Sequence, residues 1–201
     1  MLVVKPGAGA VSNGKPVLFD APPEARGGHV WGELAPVLRA LGHAVSWSPL
    51  SGRLIAVPCR PVSPLEGELV VTSPYGPRIY NGRLFHSGVD LKASMGTDVY
   101  SVADGQVSWV GYDPKGFGRY VLVNHGEFTS IYAHLSRTDV VKGLAAGAGQ
   151  RLGLSGGVGP DRGDSDGPHL HWGIYVGPMI LPSGKFDPAA TVDPMQFLER
   201  G

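Results

Sequence analysis

The segment that contains His169 and His171 constrains the fold of this chain more than any other part of the sequence. Leu170, Trp172 and Ile174 alternate with the residues between them, and this period-two pattern is typical of a β-strand. Residues two apart on a strand point to the same face of a sheet. The pattern therefore predicts a strand that presents the two imidazoles side by side.

Two other segments supply side chains that can bind a metal together with this pair. Residues 85–90 contain His86 and Asp90, and residues 132–135 contain His134. Zinc in catalytic sites takes three protein ligands and keeps a fourth position for water. His86, Asp90 and one histidine of the pair form such a set. His134 and the other histidine of the pair are then left for acid–base chemistry.

These segments resemble the three motifs of the lysostaphin-type (LytM-type) zinc endopeptidases, which cut peptide cross-links in bacterial cell walls. The motif residues, in chain order, are His86-x-Gly88-x-Asp90, Ala133-His134-Leu135 and Gly167-Pro168-His169-Leu170-His171. Framework segments at residues 72–79 and 99–105 match as well, so the resemblance extends from about Val71 to Phe197. It implies a mainly β fold in which an antiparallel β-sheet, containing a duplicated hybrid motif, forms a groove.

The resemblance also implies a role for each site residue. The zinc ligands are expected to be His86, Asp90 and His171. His134 and His169 match the histidines of the family that do not bind the metal. The expected reaction is attack of a zinc-activated water on a peptide carbonyl, and one of these two histidines moves the proton to the leaving amine.

Three further residues in or near the first motif have a predicted role. Tyr80 lies where some family members have a tyrosine that donates to the developing oxyanion, which is worth roughly 3 kcal/mol when the donor is preorganised. The alternative is that Tyr80 forms an aromatic wall of the groove. Gly88, between two of the expected ligands, is expected to allow a sharp bend. Arg78 matches a framework position and is expected to be structural.

The remainder of the region after residue 65 has the pattern of a turn-rich β domain. Short runs of β-branched and aromatic residues are separated by glycine-bearing turns, and the chain holds 31 glycines and 18 prolines. Residues 161–167 carry carboxylates whose spacing does not match a calcium loop. We expect a solvated acidic loop on the rim of the groove.

Residues 1–60 have a different pattern and predict a small α+β domain. Strands are predicted after Gly14, around residues 45–47 and at residues 53–57. Between them, Leu34, Leu38 and Leu41 share one face of a predicted helix. The segment resembles the copper amine oxidase N-terminal-like domain of bacterial surface proteins. That resemblance implies contact with the wall or with another protein, or a folded spacer, and no copper or oxidase chemistry.

The proline-rich residues 61–65 predict an extended linker, so residues 66–201 form the expected peptidase domain. Cys59, the single cysteine, precedes this linker and excludes an internal disulfide framework. Two interpretations of Cys59 are open. It is a small, partly buried linker residue, or its thiolate reaches the zinc and blocks the water position.

Charge and hydropathy limit the partners of the chain. The formal net charge is zero, which gives no indication of nucleic acid as a partner. The sequence contains no run of about eighteen apolar residues, so no membrane span is predicted. The apolar stretch formed by its first residues is too short for the core of a signal peptide.

The expected substrate is peptidoglycan peptide at the cell wall or outside the cell. The alternative function is a non-enzymatic relative that serves as a scaffold or activator of other wall enzymes. Such relatives typically lose ligands, whereas this sequence keeps them.

Overall fold

A computed structural model describes residues 2–4, 10–12, 15–17, 38, 43–48, 53–57, 61–80, 82–160, 162–176 and 190–198. It confirms the predicted fold class, because the regular structure of these residues is mainly antiparallel β-strand. The strands are β1 (Leu2–Val4), β2 (Ala10–Ser12), β3 (Lys15–Val17), β4 (Ala44–Ser48), β5 (Arg53–Val57), β6 (Val71–Ser73), β7 (Gly76–Tyr80), β8 (Arg83–His86), β9 (Val89–Lys92), β10 (Asp98–Tyr100), β11 (Gly105–Asp113), β12 (Gly118–Asn124), β13 (Phe128–Thr138), β14 (Ala145–Ala146), β15 (Arg151–Ser155), β16 (His169–Val176) and β17 (Thr191–Val192). A helix, α1, covers Pro194–Leu198. Among the described residues, none belongs to a helix long and apolar enough to cross a membrane.

The large sheet carries the strands on which the site is built. Its main path runs β14-β11-β12-β13-β16-β9-β6, and β15 and β17 pair with strands at its centre. Leu170, Trp172 and Ile174 of β16 are buried in the main core on one face of the sheet. The alternate residues face the other way, and Tyr175 among them is buried in a second cluster. The predicted alternation is therefore confirmed, and it places His171 on the face of the second cluster.

β7 and β8 form a separate two-stranded hairpin. Tyr75 anchors its base, because its ring meets that of Phe85 edge-on at a centroid distance of 5.1 Å. The Tyr75 hydroxyl also donates to the carbonyl of Thr191 at 3.0 Å. Ile79 and Leu84 are nevertheless 91% and 72% exposed. The hairpin thus holds two large apolar side chains in solvent.

The first five strands form their own antiparallel sheet, in the order β3-β2-β1-β5-β4. The strands predicted after Gly14, around residues 45–47 and at residues 53–57 are present as β3, β4 and β5. The predicted helix lies outside the described residues except for Leu38, which is helical and buried.

The proline-rich segment between the two predicted domains lies against the second one. The backbone N–H of Val62 donates to the carbonyl of Val102 at 2.7 Å, and that of Tyr100 donates to the carbonyl of Pro64 at 2.9 Å. Leu65 is 5% exposed and belongs to the main core. This segment is therefore hydrogen-bonded along its length, and the boundary between domains at residues 61–65 stays a prediction.

Candidate metal centre and active site

The structure brings the three predicted ligands together. His86 ends β8, while Asp90 of β9 and His171 of β16 are direct partners across the sheet. The Nε2 atom of His86 is 3.0 Å from Nδ1 of His171, and this Nδ1 is 3.0 Å from Oδ1 of Asp90. The third side, from His86 Nε2 to Asp90 Oδ1, measures 3.2 Å. Two nitrogens and one carboxylate oxygen thus form a compact triangle.

This triangle fits a zinc ion. Ligand atoms at 2.0–2.1 Å around a tetrahedral zinc are about 3.3–3.4 Å apart, close to the three sides observed. Nδ1 of His86 donates to the carbonyl of Pro74 at 2.9 Å, so in the neutral ring Nε2 keeps its lone pair toward the centre of the triangle. Burial lowers the pKa of His171 and favours the neutral imidazole that binds metal. A cation would therefore meet a lone pair on His86 Nε2 and a neutral His171 ring.

A second layer of contacts orients the Asp90 carboxylate. Nη1 of Arg78 is 3.7 Å from Asp90 Oδ2 and donates to the Ser73 hydroxyl at 2.7 Å. That hydroxyl lies 3.4 Å from Nδ1 of His86. Burial tends to raise the pKa of Asp90, but its contacts with His171 and His86 outweigh burial and hold the pKa far below its usual value. The carboxylate is therefore ionised near pH 7.

Gly88 is required for space. It is not among the glycines with positive φ. A Cβ at this position would overlap the carbonyl oxygen of Trp172 and lie 2.9 Å from Nε2 of His171. The expected bend is thus not the reason for this glycine: the backbone at Gly88 packs directly on the imidazole of a predicted ligand.

His134 lies in a β-bulge of β13. The register with β12 shifts here, so that β13 carries one residue more than its neighbour. The φ of His134 is 58°, the one positive value among the non-glycine residues that the structure describes. Bulges bend a strand and re-aim a side chain. This bulge brings the His134 ring to 5.9 Å from that of His171, between centroids.

Backbone carbonyls hold the imidazole of His134 in place. Its Nδ1 donates to the carbonyl of Arg162 at 2.7 Å, and its backbone N–H donates to the carbonyl of Phe117 at 2.8 Å. Burial, followed by the neighbouring His171 and His169, lowers the pKa of His134 to about 3. The ring is therefore neutral near pH 7, with the proton on Nδ1 and a lone pair on Nε2.

The imidazole of His169 is also held by a backbone carbonyl. Its Nδ1 donates to the carbonyl of Gly167 at 3.0 Å. Its Nε2 is 3.6 Å from Oδ1 of Asp90, and its ring centroid is 4.8 Å from that of His134. All five histidine and aspartate side chains predicted for the site are thus close together, three in the triangle and two beside it.

Two other residues with a predicted role, Tyr80 and Cys59, have side chains that the structure does not describe. The backbone of Tyr80 ends β7, but its side chain lies outside the described residues, as does Cys59. Phe117, whose ring is 5.5 Å from that of His171, is not among the residues predicted from the sequence. A single phenylalanine in a glycine-bearing turn carries no sequence signal that would single it out.

A groove of about 970 Å³ runs over these residues. One side is formed by the exposed apolar side chains of the β7–β8 hairpin. The other side consists of the β11–β12 turn and the loop before β16, whose exposed Asp164 and Asp166 agree with the predicted acidic rim. The lining residues are Thr72, Ser73, Arg78, Ile79, Leu84, Phe85, His86, Ser87, Asp90, Asp113, Lys115, Gly116, Phe117, His134, Asp164, Asp166, His169 and His171.

Comparison with known proteins gives consistent matches for this part of the chain. The family model of peptidase family M23 matches residues 84–184. An uncharacterized metalloprotease of Haemophilus influenzae is 41% identical over 56% of this chain and 24% of its own length. The peptidoglycan DD-endopeptidase ShyA of Vibrio cholerae is 35% identical over 56% of this chain and 26% of its own length. The chain thus spans about a quarter of the length of the curated relatives it matches.

Solved structures resemble the same region. The catalytic domain of lysostaphin from Staphylococcus simulans is 32% identical, with a TM-score of 0.55 over 65% of this chain and 92% of that one. A zinc containing peptidase from Vibrio cholerae is 26% identical, with a TM-score of 0.56 over 78% of this chain and 47% of that one. Since the family model covers half of the sequence and the structural matches agree with it, the chain belongs to peptidase family M23.

Proposed function

We propose that this chain is a zinc-dependent endopeptidase that hydrolyses peptide cross-links or stem peptides of bacterial peptidoglycan. The observation that carries the proposal is the triangle of His86 Nε2, Asp90 Oδ1 and His171 Nδ1 with two further imidazoles beside it. The relative named as a peptidoglycan DD-endopeptidase and the match to lysostaphin support the substrate class. The corresponding location is the cell wall or the extracellular side of the envelope.

His86, Asp90 and His171 are the residues that would hold zinc. When bound at such a site, zinc acts as a Lewis acid, polarising a carbonyl and lowering the pKa of water. Asp90 supplies the single negative charge of the set, so the site keeps net positive charge. Arg78 and the Pro74 carbonyl keep the ligand atoms turned toward the centre.

His134 and His169 are the candidates for proton transfer. Each donates from Nδ1 to a backbone carbonyl, which leaves an Nε2 lone pair to accept a proton. One of them takes the proton of the attacking water and passes it to the amine that leaves when the peptide bond breaks. Tyr80, by its place in the family pattern, is proposed as a donor to the developing oxyanion.

The groove provides a place for an extended peptide. Its volume of about 970 Å³ is at the upper end of the range for ligand sites. The Ile79 and Leu84 side chains give one wall an apolar character, while charged residues line the other. A peptide lying along the groove would therefore pass the five site residues with different contacts on its two sides.

The alternative, a non-enzymatic scaffold or activator, is disfavoured by the complete donor set. Metal content distinguishes the two functions before any substrate is chosen. The purified enzyme should contain one zinc per chain, whereas a scaffold has no need of the metal. We therefore treat zinc stoichiometry as the first test.

Residues 1–60 are proposed to form a separate domain that contacts the wall or another protein, and the family match lies outside them. A fragment from about Leu65 to Gly201 should then bind zinc and cleave soluble muropeptides, but act more slowly on intact walls because a tether raises local concentration. A fragment that does not fold would contradict this division. Higher activity of the fragment on soluble peptide would instead indicate that the first domain covers the groove.

Digestion of defined muropeptides followed by mass spectrometry tests the activity. The zinc-loaded chain should release fragments that correspond to hydrolysis of one peptide bond, and a chelator-treated sample should not. Comparing cross-linked dimers with monomeric stems identifies which bond is cut. Intact substrate after treatment with fully zinc-loaded protein would refute the endopeptidase.

A further inference from the structure

A buried serine holds the loop that precedes the metal strand. Ser165 is 4% exposed, although Asp164 and Asp166 on either side of it are exposed. Its Oγ lies 2.9 Å from the carbonyl oxygens of both Gly157 and Gly167. A hydroxyl has one proton to donate, and here it lies between two carbonyl acceptors.

The same hydroxyl contacts the groups that fix the ring of His169. The backbone N–H of Gly167 donates to Ser165 Oγ at 3.4 Å, and Nδ1 of His169 is also 3.4 Å from it. The carbonyl of Gly167 accepts the Nδ1 proton of His169. Because a carbonyl can only accept, this bond keeps the proton on Nδ1 and the lone pair on Nε2.

The loop is tightly packed at this point. The φ of Gly157 is +85°, and a Cβ there would overlap the carbonyl oxygen of Gly167 and lie 2.9 Å from Ser165 Oγ. The two arms of the loop therefore meet where the serine hydroxyl lies. Loss of that hydroxyl would free the Gly167 carbonyl to move, and the acceptor that selects the tautomer of His169 would move with it.

We propose that Ser165 is a positioning residue for His169. It holds the Gly167 carbonyl so that this carbonyl keeps the His169 proton on Nδ1 and its Nε2 lone pair available. The catalytic part of this inference rests on the proposed function, in which His169 is a candidate for proton transfer. The structural part, the choice of tautomer, can be measured without substrate.

Nuclear magnetic resonance of the zinc-loaded full chain with ¹⁵N-labelled histidine measures the tautomer directly. His169 should carry its proton on Nδ1, and Ser165→Ala should show a mixture of the two tautomers. Ser101→Ala is the matched control, since it removes a fully buried hydroxyl that donates to the carbonyl of Ala103. This control should leave the tautomer of His169 unchanged.

Identical His169 signals in Ser165→Ala and the unsubstituted chain would overturn the proposal. Where the alanine variant does not fold, Ser165→Cys replaces it, with a slightly larger and weaker donor, and His169 signals identical to those of the unsubstituted chain would again overturn the proposal.

A kinetic cycle separates positioning from general damage to the loop. Ser165→Ala should lower kcat on muropeptides by about 10- to 100-fold, a loss of the size seen when an outer partner of a metal ligand is removed, with zinc content unchanged. In a His169→Ala background the same substitution should have no further effect, because the group it positions is absent. Equal losses in both backgrounds would contradict the proposal. An unsubstituted chain that cleaves no muropeptide would refute the proposed function, while the tautomer measurement would still decide the role of Ser165.

Discussion

The two halves of the site are held by different kinds of structure. Asp90 and His171 are cross-strand partners on β9 and β16, so the sheet itself sets the distance between them. His134 and His169 instead depend on the carbonyls of Arg162 and Gly167, which belong to the loop before β16. Strand register thus sets the Asp90–His171 side of the triangle, whereas loop carbonyls fix the ring directions of His134 and His169.

This difference has a consequence for how each half fails. Strand register is fixed by many paired residues and buried side chains, so a single ligand can be removed without moving the others. A loop carbonyl has fewer supports, and its displacement changes the direction of the imidazole that donates to it. We expect substitutions in the triangle to remove the metal, and substitutions on the loop side to keep the metal and lower the rate.

The largest effect is expected for the ligands. His86→Ala, Asp90→Ala and His171→Ala should each lose bound zinc and detectable activity, because two protein ligands do not make a catalytic zinc site. Zinc content by elemental analysis measures this. Asp104→Ala is the control, since its carboxylate accepts from the backbone N–H of Ala148 in a distant turn. Full zinc occupancy in His171→Ala would remove that residue from the ligand set.

On the loop side, His134→Ala and His169→Ala should retain zinc and lose at least ~10²-fold in kcat, the lower end of what a positioned acid–base group supplies. Steady-state kinetics on a defined muropeptide, with zinc measured in the same samples, tests this. His125→Gln is a matched control because its ring stacks on Phe128 and does not line the groove. Unchanged turnover in either alanine variant would exclude that histidine from the reaction.

Arg78 is expected to act on the triangle from outside it. Arg78→Ala should weaken zinc affinity by about 10- to 100-fold, because the Asp90 carboxylate and the Ser73 hydroxyl lose their common partner. Competition with a zinc chelator measures the affinity. Arg137→Ala, which breaks an exposed ion pair with Asp139, should leave it unchanged. Equal affinities in the two variants would show that Arg78 does not support the ligands.

The positive φ in the bulge at His134 should lower the stability of the folded chain, and a glycine at this position should remove that loss. His134→Gly is expected to be more stable than His134→Ala by about 1–2 kcal/mol, because an alanine with positive φ is strained. Urea unfolding of the metal-free variants measures the difference. The same pair of substitutions at Ser136, in the same strand but without positive φ, should give the opposite order. Equal stabilities at position 134 would mean that its backbone relaxes out of the bulge.

The last prediction of this series concerns pH. The pKa of His134 is lowered from 6.5 to about 3, chiefly by burial, so between these values the unfolded chain binds a proton that the folded chain does not. The free energy of unfolding should therefore fall as pH drops from 6.5 toward 3. In metal-free His134→Gln this fall should be smaller, because the variant lacks this buried imidazole. Urea unfolding at pH 7 and pH 4 compares them, and an unchanged pH dependence would count against a neutral, buried His134.

Sequence reasoning reached the strand-held half of the site more fully than the loop-held half. The alternation around His171 predicts its strand, and the spacing of His86 and Asp90 gives their motif. The bulge at His134 has no such signal, because it depends on the register between two strands. Gly88 is a second example of what the sequence does not show. The motif contains a glycine at this position, but only the structure shows that a side chain here would meet the imidazole of His171.

The groups that accept hydrogen bonds from His134 and His169 are backbone carbonyls. Because every residue has a carbonyl, no residue type in the sequence indicates which ones act as acceptors. Arg162 and Gly167 contribute only their carbonyl oxygens, so neither composition nor motif patterns identify them. The same holds for Phe117, whose carbonyl accepts from the backbone of His134. The fold class and the set of side chains that come together could therefore be predicted, whereas tautomers and ring directions required coordinates.

The anomalous difference map of a zinc-loaded crystal, measured at the zinc absorption edge, tests the division between the two halves most directly. We predict one peak per chain, at about 2.0–2.2 Å from His86 Nε2, Asp90 Oδ1 and His171 Nδ1 and beyond bonding distance of both flanking imidazoles. A peak bonded to His134 or His169, or the absence of a peak in the triangle, would contradict the account.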